Sequence, residues 1–164
     1  MSQGNKKELF TGERRRRKLL PYVLLFTLLI GGLAFFFTLT GDSAIEVSGS
    51  GGFVKISLAD VNDGKAHFFK YNTGSGKDVK FFVLKSADGV IRAAFDSCDV
   101  CYAAKKGYRQ EGDRMVCNNC GQRFPSTGIN EVRGGCNPAP LERAIDGGIV
   151  LIRAGDIETG SVYF

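Results

Sequence analysis

The chain has 164 residues, room for one domain of ordinary size plus an appendage, and carries 22 basic against 17 acidic side chains for a net charge of +5. That excess lies entirely in residues 1–18, which hold seven Lys or Arg against Glu8 and Glu13, while the rest of the chain has fifteen of each sign. A neutral domain gives no support to nucleic-acid binding through a basic patch, and the basic tail reads instead as a topology signal and a contact for anionic lipids.

Residues 1–18 are therefore taken as a basic cytoplasmic tail. The next element, residues 19–40, is predicted to be a transmembrane helix. "LLPYVLLFTLLIGGLAFFFTL" runs 21 residues without a charge, and at about 1.5 Å per residue it covers the roughly 30 Å hydrocarbon core of a bilayer. Pro21, Gly31 and Gly32 are compatible with this, since both residue types are common in membrane helices. A buried core helix is seldom apolar on every face over such a length. A cleaved signal peptide has an apolar core of roughly 7–15 residues and a small-x-small cleavage site, and "TLTGDSAIE" supplies a poor one. The run Arg14 to Arg17 is weakly similar to a twin-arginine export signal and equally to the flank of any anchor. No Lys or Arg follows the span until Lys55. The positive-inside rule then leaves the N-terminus in the cytoplasm and delivers the C-terminal domain outside, as a single-pass protein of the cell membrane.

Residues 41–52 read as a Gly/Ser linker around "SGSGG". From residue 53 to 164 the pattern shifts to period two. Val54, Ile56 and Leu58 alternate with Lys55 and Ser57, as a half-buried strand does. "AHFFKY", "VKFFVLK" and "VIRAAF" read as further strands, with hairpin turns at Asn62-Asp63-Gly64 and Asp88-Gly89. "GGIVLIRAG" and "GSVYF" add one strand each, while "YAAKKGY" allows a turn or two of helix. The fold class expected is all-β, a β-dominated small metal- or cluster-binding domain anchored by one N-terminal transmembrane helix.

The five cysteines fall at Cys98, Cys101, Cys117, Cys120 and Cys136, as two C-x-x-C pairs with fifteen residues between them and fifteen more before the last. Two such pairs have the spacing of a four-thiolate metal site, because two intervening residues fold into a knuckle that points both sulfurs at one centre. Gly121, directly after Cys120, suits such a knuckle because it permits a positive φ. A disulfide framework is the rival outside the cytoplasm, but the odd count leaves one thiol over and the domain has enough apolar residues for a core without staples. A thioredoxin-like pair requires a C-x-x-C opening a helix in a βαβ unit, which the strand-rich pattern does not offer. Covalent haem is excluded at both pairs, since Tyr102 and Gly121 stand where C-x-x-C-H has histidine. Zinc and an iron–sulfur cluster both accept four thiolates, and spacing alone favours zinc, the commoner occupant.

A resemblance bears on that choice. "AFDSCDVCYAAKKGYRQEGDRMVCNNCGQRF" followed by "GGCNPAPL" is very similar to the FtrD-like family of membrane iron–sulfur proteins, over residues 53–153 and with the same single-span anchor. The resemblance implies an iron–sulfur cluster, of unspecified nuclearity, on Cys98, Cys101, Cys117 and Cys120. It implies electron relay in a bacterial iron-uptake system, with an iron permease and exported iron-binding or redox proteins as partners. More weakly, Cys117 to Phe124, then Gly128 and Pro138-Ala139-Pro140, resembles the second cluster box of Rieske domains, which have histidine where Cys120 stands. All-thiolate ligation adds negative charge and lowers the potential relative to histidine-ligated centres.

Cys136, in the loop "RGGCNPAPL", reads as a fifth metal ligand, a redox-active thiol or a small buried hydrophobe. His67, the single histidine, reads as a half-exposed strand position rather than a ligand. Tyr102, Met115, Phe124 and Pro125 read as walls against water or as ordinary core. Asp96, Asp99, Glu111 and Asp113 read as loop carboxylates balancing Lys105, Lys106 and Arg109. No substrate pocket, phosphate loop or serine–histidine arrangement is marked, so the expected role is an electron carrier with no catalytic residues. A structural zinc-binding interaction module, and an exported thiol–disulfide exchanger using Cys117 and Cys120, are the alternatives.

Overall fold

The structure, a computed structural model, describes residues 44–164 together with Tyr22, Leu25 and Phe26. The chain divides into two compact units, residues 1–42 and residues 43–164. In the first, Tyr22, Leu25 and Phe26 are helical with exposed side chains. The predicted tail and the rest of the predicted span lie outside the described residues, among which no helix is long and apolar enough to cross a membrane.

The second unit is β-dominated. Its central sheet has the order β1-β3-β4-β5, from β1 (Ile45–Val47), β3 (His67–Asn72), β4 (Asp78–Lys85) and β5 (Ile91–Phe95). β1 runs parallel to β3, and β3-β4 and β4-β5 are antiparallel. A second sheet orders β2 (Phe53–Ser57), β10 (Ile149–Arg153) and β9 (Ala144–Asp146), and a third orders β6 (Tyr108–Glu111), β7 (Arg114–Cys117) and β8 (Arg123–Pro125).

Within the central sheet β4 and β5 are buried on both faces, which explains why they carry apolar runs rather than alternation. Phe69, Phe81, Val83, Ala93 and Phe95 face one core, where Val54 and Ile56 of β2 and Val150 and Ile152 of β10 meet them. Phe82, Leu84 and Ala94 face a second core, built with Cys98, Tyr108, Met115, Cys117 and Ile129. Successive positions on β4, Phe81 to Leu84, thus alternate between the two cores, and the cysteine region is packed onto the sheet rather than appended to it.

Three local expectations differ from what the chain does. Asn62-Asp63-Gly64 turns no hairpin: β2 pairs with β10 and β3 with β4, so β2 and β3 face each other across the core. A 3-10 turn, Leu58–Val61, makes the crossing with Val61 fully buried. "GSVYF" is not a strand but the end of a helical segment, α1 (Ala154–Thr159) running into a 3-10 turn, Gly160–Tyr163. Helical winding lets Gly160 press against the Phe95 ring, where a Cβ has no room, and sets Tyr163 against that ring with centroids 5.8 Å apart. The stretch read as a linker, 41–52, contains β1, paired in register with Phe69, Lys70 and Tyr71.

The β4–β5 hairpin turns at Asp88-Gly89 as its sequence predicts, with Gly89 at φ 84°. Buried Arg92 ties this hairpin to the loop after β8, donating to Ser86 Oγ at 3.0 Å, Ile129 O at 3.0 Å, Asp88 Oδ2 at 2.7 Å and Glu131 Oε1 at 2.6 Å. Asn130 sits at φ 69° and bridges strands with its amide, accepting from Ala93 N–H at 3.1 Å and donating to Leu141 O at 3.1 Å.

Candidate metal centre

β5 positions two of the cysteines. Cys98 follows its C-terminal end, and the segment carrying Cys136 is hung on its free edge. Phe95 N–H donates to Ala139 O at 2.8 Å, Ala139 N–H to Ser97 O at 2.9 Å and Leu141 N–H to Ala93 O at 3.3 Å. "NPAP" suits this place because its prolines have no N–H to offer a ladder and so favour an edge. Gly134 and Gly135, both at positive φ, turn the chain so that Cys136 returns towards Cys98 and Cys101.

The β6–β7–β8 sheet supplies the second pair. β6 and β7 are joined by the two-residue turn Gly112-Asp113, with Gly112 at φ 60°. Cys117 ends β7 directly opposite Tyr108. The knuckle then closes with Gly121 N–H on Cys117 O at 2.9 Å and Cys117 N–H on Gln122 O at 3.0 Å, and Gly121 adopts φ 74°. The first knuckle is drawn in through sulfur instead, Cys101 N–H donating to Cys98 Sγ at 3.2 Å. Asp96 ties the two halves together: its carboxylate accepts the Tyr108 N–H at 2.6 Å. Gly107 is needed beside it, because a Cβ there would collide with that carboxylate.

The sulfurs come together in two overlapping groups. Those of Cys98, Cys101 and Cys136 lie within 4.8 Å of one another, and so do those of Cys101, Cys117 and Cys120. Cys101 belongs to both. Its sulfur is 3.6 Å from that of Cys136 and receives the Asn119 side-chain amide at 3.5 Å. Burial is graded: Cys98 and Cys117 are buried, Cys101 and Cys136 half-buried, Cys120 exposed. The four cysteines of the two pairs and Cys136 are therefore neighbours, with Cys101 as the joint.

Tyr108 is the residue that the sequence reading missed. It is buried, its ring sits between Phe82 and Phe124 at centroid distances of 6.4 Å from each, and its hydroxyl donates to Cys136 O at 2.7 Å. Burial, and then contact with the Cys98 sulfur, raises its pKa. The signal was present: "YRQEGDRMVC" reads as a hairpin closed by Gly-Asp, which places Tyr108 across from Cys117. Burial works against ionisation of Cys98, but its contact with the Tyr108 hydroxyl and the N–H groups of Cys101 and Val100 outweighs it, so this thiol titrates below its ordinary value. Cys136 goes the other way, pushed up to about 12 by burial and by the Cys120 and Cys101 thiols beside it.

Of the other residues singled out, Met115 is fully buried in the cysteine core and Phe124 packs against it. Pro125 is exposed. Tyr102, also exposed, meets Tyr163 edge-on at 6.2 Å. Asp99 accepts the Tyr163 hydroxyl at 2.8 Å, which docks the C-terminal turn on the first knuckle. Glu111 pairs with Arg109 at 2.6 Å and Arg123 at 3.0 Å. His67 is half-buried in β3, bonded to Asp63 Oδ1 at 2.8 Å, and belongs to neither sulfur group.

The donor set fits a thiolate-held metal. With metal–sulfur bonds of about 2.3 Å, tetrahedral ligands lie roughly 3.8 Å apart, the scale on which these sulfurs are gathered. Oxygen and imidazole donors are absent from both sulfur groups, and soft thiolates select zinc or iron–sulfur centres over hard cations.

No curated protein matches the chain. The family model for "Membrane iron-sulfur containing protein FtrD-like" matches residues 61–164, a stretch that takes in the central sheet from β3 onwards and all five cysteines. With that match over more than half its length, the chain belongs to the FtrD-like family of membrane iron–sulfur containing proteins.

Proposed function

We propose that this protein is a membrane-anchored electron relay of an iron-uptake system, with an iron–sulfur cluster on Cys98, Cys101, Cys117 and Cys120 in an exported domain. The observation that carries the reading is the meeting of both C-x-x-C knuckles at Cys101 in an all-sulfur site with one exposed edge at Cys120. When bound there, such a cluster supplies one-electron exchange. The chain's own residues do the rest. Cys98 and Cys117 root the site in the second core, Tyr108 and Phe124 line its protein side, and Asn119 donates to the Cys101 sulfur. Exposure of Cys120 leaves a short path to a partner, for which an iron permease and exported iron-binding or redox proteins are the candidates. The hairpin that presents Cys117 and Cys120 is the counterpart proposed for the second cluster box of Rieske domains.

Topology is part of the proposal. The basic residues 1–18 ahead of the apolar run support a cytoplasmic N-terminus and an exported cysteine domain. Iron and acid-labile sulfide in the anaerobically purified protein, with a reversible one-electron couple, are the expected result. Stoichiometric zinc in a colourless protein overturns the relay and supports a structural zinc module instead.

A further inference from the structure

We propose that Cys101 and Cys136 form a disulfide when the centre is empty, and that this bond closes the site to metal until it is reduced. The inference rests on Cys98, Cys101, Cys117 and Cys120 being the metal centre, and concerns a modification that the ligand assignment does not contain. Three observations carry it. The two sulfurs lie 3.6 Å apart, so a small shift brings them to a bond of about 2.05 Å. Cys136 follows Gly134 and Gly135, around which a Cβ would find only open space, so no neighbouring atom at these glycines stands against that shift. And both thiols are half-buried, whereas Cys98 and Cys117 are sealed in the core away from an external oxidant.

The chemistry is thiol–disulfide exchange with a small disulfide donor of the oxidising compartment outside the cytoplasm. One cysteine sulfur attacks the donor as a thiolate, forming a mixed disulfide and releasing one donor thiol. The other then displaces the second donor thiol, so Cys101 and Cys136 lose two electrons and two protons, and the donor disulfide gains them as two thiols. Because Cys101 belongs to both sulfur groups, a single bond at this residue takes a ligand from each.

The test uses the full-length protein in mild detergent, stripped of metal under reducing conditions, freed of reductant and exposed to oxidised glutathione. Peptide mapping by mass spectrometry is expected to find Cys101 joined to Cys136. Cobalt(II), whose thiolate bands report binding in the visible, is expected to be taken up by the reduced protein, refused by the oxidised one, and accepted again after treatment with a phosphine reductant. C136S, oxidised in the same way, is expected to keep its cobalt uptake. A map dominated by Cys98–Cys101, Cys117–Cys120 or Cys120–Cys136, or undiminished cobalt uptake by the oxidised protein, overturns the proposal. Reduced protein that takes up no cobalt overturns the reading of the cysteines as a metal centre and this inference with it, whereas zinc in place of iron in the native protein leaves the disulfide map unchanged.

Discussion

The Tyr108 hydroxyl donates a 2.7 Å hydrogen bond to the carbonyl oxygen of Cys136, joining the β6–β7 hairpin to the loop that hangs on β5. This bond connects the two parts of the chain that bring sulfurs to the site, and it is made by a buried ring whose strand partner is Cys117. Tyr108→Phe keeps the ring and loses the bond, for a cost of about 1 kcal/mol. Tyr108→Ala also empties the space between Phe82 and Phe124 and costs about 3–5 kcal/mol. Denaturant unfolding of the two variants checks the gap between them; equal losses would show that the hydroxyl, not the ring, holds the site.

Single serine replacements should rank by place in the site. Metal binding in a small domain is largely folding energy, so losing a ligand lowers both metal content and thermal stability. Cys101→Ser, which touches both sulfur groups, should lose the most metal. Cys117→Ser should add a stability loss in the stripped protein, because that side chain is 2% exposed in the second core. Cys120→Ser, at an exposed position, should lose metal with little effect on the stripped protein, and Cys136→Ser should be the mildest. Metal analysis and thermal melts before and after stripping check the order.

Gly107→Ala should damage the site without touching a cysteine. The backbone there has φ 61°, a left-handed conformation that costs a residue with a side chain about 1–2 kcal/mol. The new methyl would also strike the Asp96 carboxylate that holds the Tyr108 N–H. Lower stability together with lower metal content is expected, and wild-type values in both would contradict this account of the Asp96 bridge.

Acid should reveal the hairpin anchored by Arg92. Hydrogen bonds to Asp88 from the Ser86 hydroxyl first, and then from Arg92 and the Val90 N–H, hold its pKa at about 2, below its ordinary 3.8. A carboxyl depressed in the folded state contributes stability that is fully present above pH 3.8 and is lost as the pH falls through about 2. Asp88→Asn should therefore flatten the melting temperature between pH 4 and pH 2 relative to the parent protein. Arg92→Ala, which leaves the Ile129 carbonyl and Ser86 hydroxyl without their donor, should cost about 1–3 kcal/mol at neutral pH.

Topology is checked in intact cells with a membrane-impermeant thiol reagent after metal removal. Labelling of Cys120 without lysis is expected if the domain lies outside. Labelling only after lysis would invert the chain and end the iron-uptake reading.

β3, β4 and β5 of the central sheet were legible because their signal is compositional, whereas β1 lies in the stretch read as a linker. Aromatic and branched runs such as "VKFFVLK" mark a strand wherever it pairs. The β4–β5 pairing was legible in its Asp88-Gly89 turn, whereas the partner of β2 was not, since pairing is set by how faces meet across a core and nothing in Asn62-Asp63-Gly64 tells a hairpin from a crossing. "GSVYF" is too short for its alternation to outweigh tertiary packing, and Gly160 against Phe95 decided it. At the site, the C-x-x-C spacing announced both knuckles, because a knuckle is a local object. The nearness of Cys136 to Cys101 is a product of the β5 edge and could be read only once Ala139 and Leu141 were seen to pair there.

The measurement that tests the central claim most directly is elemental and sulfide analysis of the full-length protein purified without oxygen, paired with electron paramagnetic resonance before and after reduction. The account predicts iron and acid-labile sulfide in matching amounts, a signal that appears or disappears with one electron, and loss of both iron and signal in Cys101→Ser. Zinc in place of iron, or iron that survives in Cys101→Ser, would contradict it.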